Sequence, residues 1–80
     1  MEYKWALEHS NKQKTFNIDI LKNILEKNIN NVIEKKENDY QIIFIGSYEE
    51  CLKLCEELKK MQETIEKVRE FLENNKVNND

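Results

Sequence analysis

The stretch CLKLCEELKKMQETIEKVREFL, residues 51–72, contains neither glycine nor proline, so no residue in it is built to stop a helix. Ser47 stands ahead of it as an N-cap with Glu50 three residues on, the S-x-x-E pattern of a capping box. Glu49 and Glu50 also favour the positive end of the helix dipole. Nothing interrupts the pattern before about Asn74, and the NNKVNND tail, with residues 76–80, reads as frayed. A helix over 47–74 would run about 28 residues, or roughly 40 Å. A compact chain of 80 residues has a radius of gyration of only about 12 Å, so the last turns are expected to overhang the body.

The stripe on this helix is as informative as its length. Cys51, Leu54, Leu58, Met61, Ile65, Val68 and Leu72 alternate in spacing three, four, three, four, which is an a/d heptad seam. Leu52 and Cys55 widen it near the start, as a helix lying on a sheet requires. Toward the end it narrows to a and d positions plus Phe71, which suits helix-on-helix packing. Two partners could cover that end: the first helix of the same chain, or a second copy in a two-fold dimer. The second is preferred, because the first helix is short. The expected oligomer interface is therefore Leu54, Leu58, Met61, Ile65, Val68, Phe71 and Leu72. Flanking Gln62, Arg69, Glu57 and Thr64 are poorly complementary and leave helix orientation and copy number open.

Ahead of this helix, EYKWALEH alternates, with Tyr3, Trp5 and Leu7 on one side and Lys4, Ala6 and Glu8 on the other, which reads as a half-buried strand. SNKQK turns, and TFNI alternates again, giving a hairpin. Asp19 then offers an N-cap to a helix with Ile20, Leu21, Ile24 and Leu25 on one face. Asparagines in NINN weaken it. Residues 29–36 divide two readings: a strand VIEKK forming a second hairpin, which is preferred, or a helix continuing to about Lys36. YQIIFI is the surest strand, apolar enough for both faces to be covered, and Gly46 ends it. The expected fold is α+β: a small antiparallel sheet of two hairpins, ββαββα, packed on one short and one long C-terminal amphipathic helix with coiled-coil-like heptads. Residues 1–75 form a single domain in this reading.

Composition excludes several function classes. Thirteen basic residues stand against sixteen acidic ones, for a net charge of -3. The single arginine is Arg69. Nucleic acid is an unfavoured partner for such a chain, since phosphate binding needs clustered cations. No apolar run approaches the roughly 20 residues of a membrane span, and the N-terminus lacks a signal-peptide pattern. Two cysteines are too few for a disulfide scaffold, so a cytoplasmic location is expected. The bias toward Lys, Asn, Ile and Glu matches AT-rich coding DNA of a bacterium or phage.

Cys51, Cys55 and His9 could meet a metal, but a structural zinc site wants four ligands and no fourth stands out. Buried small hydrophobes are the better reading of the cysteines. No Gly-rich phosphate loop and no nucleophile–base pair is evident. The carboxylates fall beside lysines at i, i+4 spacing, Glu56 with Lys60 and Glu63 with Lys67, as solvated ion pairs do. No enzyme, cofactor or metal is therefore expected. Tyr3, Trp5, Tyr40 and Tyr48 are either core or an aromatic patch for a protein partner or small-molecule ligand. The function expected is that of a non-enzymatic protein-interaction or inhibitor protein that self-associates through its last helix. The alternative is a phage or mobile-element anti-defence protein that blocks a nucleic-acid enzyme or sequesters a small ligand at a dimer interface.

Overall fold

The computed structural model describes residues 4–75. Five elements follow in order: β1 (Trp5–Ser10), β2 (Thr15–Ile20), α1 (Leu21–Ile33), β3 (Tyr40–Gly46) and α2 (Tyr48–Asn74). The fold is α+β, with a three-stranded antiparallel sheet ordered β2-β1-β3. β1 and β2 make the expected hairpin, from Trp5 opposite Ile20 to Ser10 opposite Thr15. Its turn is closed by Lys14, which takes a left-handed backbone at φ 56° and donates its N–H to the Ser10 carbonyl at 2.8 Å.

The second hairpin does not form. Residues through Ile33 are helical, so the sheet has one hairpin and α1 crosses from β2 to β3. β2 and β3 both run antiparallel to β1 and hence parallel to each other, which requires such a crossover. Of the asparagines read as helix breakers, Asn31 makes a tertiary bond instead: its Nδ2 donates to Asn38 Oδ1 at 2.9 Å and holds the loop into β3. The helix ends at Ile33 with Glu34 as its C-cap, and Lys35 after it takes the left-handed region at φ 59°. Lys36 N–H bonds the Asn31 carbonyl at 2.7 Å and Lys35 N–H that of Val32 at 3.1 Å, a Schellman closure without its usual glycine. Asp19 is not the N-cap of α1. Ile20 holds that position, and Asp19 Oδ1 accepts from Ile20 N–H and from Asn23 Nδ2. The Leu21 N–H is satisfied by the Lys4 carbonyl at 2.9 Å.

β1 is covered on both faces. Leu7 faces α2 and clusters with Cys51 and Cys55, while Trp5, Phe16, Ile18, Phe44, Leu54 and Leu58 pack around them. Its neighbour Glu8 points the opposite way, toward α1, as strand alternation demands. Glu8 is fully buried, and its Oε1 accepts from Lys27 Nζ and Asn17 Nδ2, both at 2.8 Å. Ser10, also buried, donates to Asp39 Oδ2 at 2.7 Å. The two helices thus lie on opposite faces of the sheet.

The strand expected to be half-exposed is therefore the central one, and YQIIFI lies at the edge. Its Ile43 and Ile45 are about half exposed, at 49% and 47%. Phe44 pairs with Leu7 and Ile42 with Glu8, so Ile43 is an extra residue in a bulge. Gly46 closes the strand where a side chain would collide: an added Cβ would lie 2.8 Å from the Phe44 ring and 3.0 Å from Glu50 Oε1.

Candidate interaction surface on the C-terminal helix

α2 starts as its sequence says. Ser47 Oγ accepts from Glu50 N–H at 3.1 Å, and Glu50 Oε1 accepts from Ser47 N–H at 3.0 Å, a complete capping box. These bonds, the backbone one first, hold the Glu50 carboxyl below its usual range. A cleft of about 500 Å³ opens beside this end, lined by Trp5, Ile45, Tyr48 and Glu50. The chain's own Glu50 carboxylate and Ser47 hydroxyl answer the Ser47 and Glu50 N–H groups at this terminus.

From Ser47 the helix runs across β1 toward the β1–β2 turn, where Gln62 Nε2 donates to the Lys14 carbonyl at 3.2 Å. Beyond that bond it leaves the sheet. The molecule measures 60 × 32 × 11 Å with a radius of gyration of 17.0 Å, against about 12 Å for a compact chain of this length. The long dimension is the overhang.

The seam divides at the same place. Cys51 and Cys55 are buried, and Leu54 and Leu58 are half-buried against the sheet, so these two leucines of the expected interface belong to the core of their own chain. Met61, Ile65, Val68, Phe71 and Leu72 are 51% to 64% exposed. No residue of α1 covers them, because α1 lies on the opposite face of the sheet. It carries its own uncovered strip, Leu25, Ile29, Val32 and Ile33. Where α2 leaves the sheet, a groove of about 410 Å³ lies between the sheet and the helix, lined by the apolar Phe16, Ile43, Leu58, Met61 and Ile65 and by His9, Asn11, Lys14 and Gln62. Sequence reasoning missed Ile43 and Phe16 as part of this surface. Only the bulge puts Ile43 there, and nothing in YQIIFI announces a bulge.

Of the four aromatics, Trp5 and Tyr48 come together and Tyr40 stands apart. Trp5 and Tyr48 meet edge to face, 4.9 Å between ring centroids. Tyr40 pairs with Ser10 at the far end of β1, roughly 17 Å away along the strand. It faces α1, with its hydroxyl 2.7 Å from Thr15 Oγ1 and Lys27 Nζ 5.4 Å from its ring centroid. Tyr3 lies outside the described residues.

His9 packs tilted against Phe16, with 4.6 Å between ring centroids, rather than joining the cysteines. Among the described residues no three His, Cys, Asp or Glu side chains gather as metal ligands would. Burial pushes the Cys51 thiol up, partly offset by a backbone hydrogen bond at Gly46, which works against a reactive thiolate. Among the described residues the ion pairs are Lys12–Glu37, Lys27–Glu8 and Lys36–Glu34, so neither expected pair on α2 closes. No helix among these residues is long and apolar enough to cross a membrane. No family model, curated protein or solved structure matches the chain.

Proposed function

We propose that this chain is a non-enzymatic protein-interaction protein of the inhibitor or adaptor kind, and that it self-associates through the C-terminal half of α2. The observation that carries the proposal is the row Met61, Ile65, Val68, Phe71 and Leu72, exposed on a helix that has outrun its own sheet. At about 100 Å² of apolar surface each, five such side chains offer some 500 Å² per protomer. Two copies then bury about 1,000 Å² between them, the lower bound for a specific interface. A second copy is the simplest occupant, because it brings the same a/d spacing to the contact. Left in water, a strip of this size invites aggregation.

Two free, buried thiols on one helical face suit a reducing compartment such as the cytosol. Net charge -3 with one arginine gives no cationic footprint for nucleic acid. Self-association couples folding to mass action, so the melting temperature is expected to rise with chain concentration across the micromolar range. Melting that is independent of concentration removes the proposal.

A further inference from the structure

We infer that the second copy docks antiparallel, with its Phe71 and Leu72 seated in the groove between the sheet and α2 of the first chain. This rests on the self-association proposed above and adds direction, register and strand residues to it.

The seam is one stripe, and its first part is occupied: Leu54 and Leu58 lie over the cluster of Leu7, Cys51 and Cys55. A parallel partner would run its own residues 47–60 along that face, at the roughly 8–10 Å spacing of packed helices. The sheet already fills this space. An antiparallel partner enters from the free end and advances until it meets the β1–β2 turn, clasped to the helix by the bond from Gln62 to the Lys14 carbonyl. Each sheet is then an end stop for the other chain's helix.

Between the two stops, a positions face d positions. Met61 meets Leu72 of the partner subunit, and Ile65 meets Val68 of the partner subunit. Sliding one heptad deeper would set the partner's Leu72 against Leu54, under the sheet. Sliding one heptad outward would leave Met61 without a partner. The intermediate register is the longest that the sheets permit.

That register brings the end of the partner helix to the groove walled by Phe16, Ile43 and Leu58. The β3 bulge turns Ile43 onto this face, where it stays half exposed among the described residues.

Cross-linking decides it. A chain with Met61→Cys is mixed with a chain carrying Leu72→Cys, allowed to exchange, and mildly oxidised, with the native chain as control for the buried Cys51 and Cys55. The mixture should form the mixed disulfide about tenfold or more over either homodisulfide, because thiols beyond about 7 Å Cα separation cannot bridge. A predominant Leu72→Cys homodisulfide means parallel helices and overturns the inference while leaving self-association standing. A dimer by sedimentation with neither cross-link also overturns this register alone. A monomer in every sample removes both readings. Ile43→Asp, a strand change outside the helix, should raise the dimer dissociation constant about tenfold or more. An unchanged constant places the contact on the helices alone and overturns the seating in the groove.

Discussion

The two halves of α2 carry one heptad pattern and meet two different fates. From Cys51 to Leu58 the stripe is pressed on the sheet, and from Met61 to Leu72 the same stripe stands in water. The difference lies in the length of the strands, not in the helix. Six-residue strands give roughly 20 Å of sheet, and α2 is about twice that. Periodicity thus tells which side of a helix is apolar, whereas the size of the neighbouring element tells how much of that side the chain can cover by itself.

The widest contrast between the halves should appear on truncation. Leu7→Ala, beneath the covered half, is expected to cost about 2–5 kcal/mol in denaturant unfolding. Val68→Ala, on the overhang, should change the stability of the dilute chain by no more than about 0.5 kcal/mol. Comparable losses at the two sites would erase the distinction.

The opposite face of β1 sharpens it further. Glu8 is buried beneath α1 and its charged partner is Lys27, so Lys27→Met strips the ion pair while keeping the stem. A loss of about 1–3 kcal/mol is expected, since a buried carboxylate is left under-satisfied. An unchanged unfolding midpoint would mean that α1 contributes little cover and that α2 alone organises the sheet.

Smaller effects belong to the start of α2. Ser47→Ala removes one arm of the capping box and should cost about 1 kcal/mol. The other arm is sensitive to acid. Because the folded state holds Glu50 below its unfolded value of 4.5, its contribution is present above that pH and fades as pH falls through the lower folded value. Unfolding midpoints of the native chain and of Glu50→Gln should therefore differ at pH 7 and draw together as pH falls below 4.5. A constant gap across that range would assign the bond no electrostatic part.

The smallest expected change is a gain. Lys35 holds a left-handed conformation that glycine adopts without strain, so Lys35→Gly should add about 0.5–1 kcal/mol. A loss would show that the Lys35 side chain contributes more than its backbone costs.

That lysine also marks where the sequence stopped being legible. A glycine at position 35 would have announced the end of α1. With lysine there, and with Asn28, Asn30 and Asn31 looking like breakers, the preferred reading of the open segment 29–36 made VIEKK a strand rather than a continuing helix. Asn31 is tolerated inside the helix because a tertiary bond to Asn38 occupies its side chain. The central and edge strands were exchanged for a similar reason. Glu8 and Ser10 look like solvent residues until Lys27 and Asn17 bond Glu8 Oε1 and Asp39 bonds Ser10 across the fold. Ile43 and Ile45 look like core until the order β2-β1-β3 places them at an edge. Local signals were legible wherever they sufficed: the first hairpin, the capping box, the unbroken α2 and its stripe. The grouping of Tyr3, Trp5, Tyr40 and Tyr48 depends on register, which composition does not encode.

Sedimentation equilibrium at micromolar concentration, on the native chain and on Ile65→Asp with Leu72→Asp, bears most directly on the exposed half of α2. The native chain should weigh at least twice its 9.7 kDa, and the double variant should fall to 9.7 kDa while keeping its helix and sheet content, because charge at a and d positions is costly to bury. A native monomer, or a variant that associates as the native chain does, would contradict the claim that this strip is built to meet a second copy.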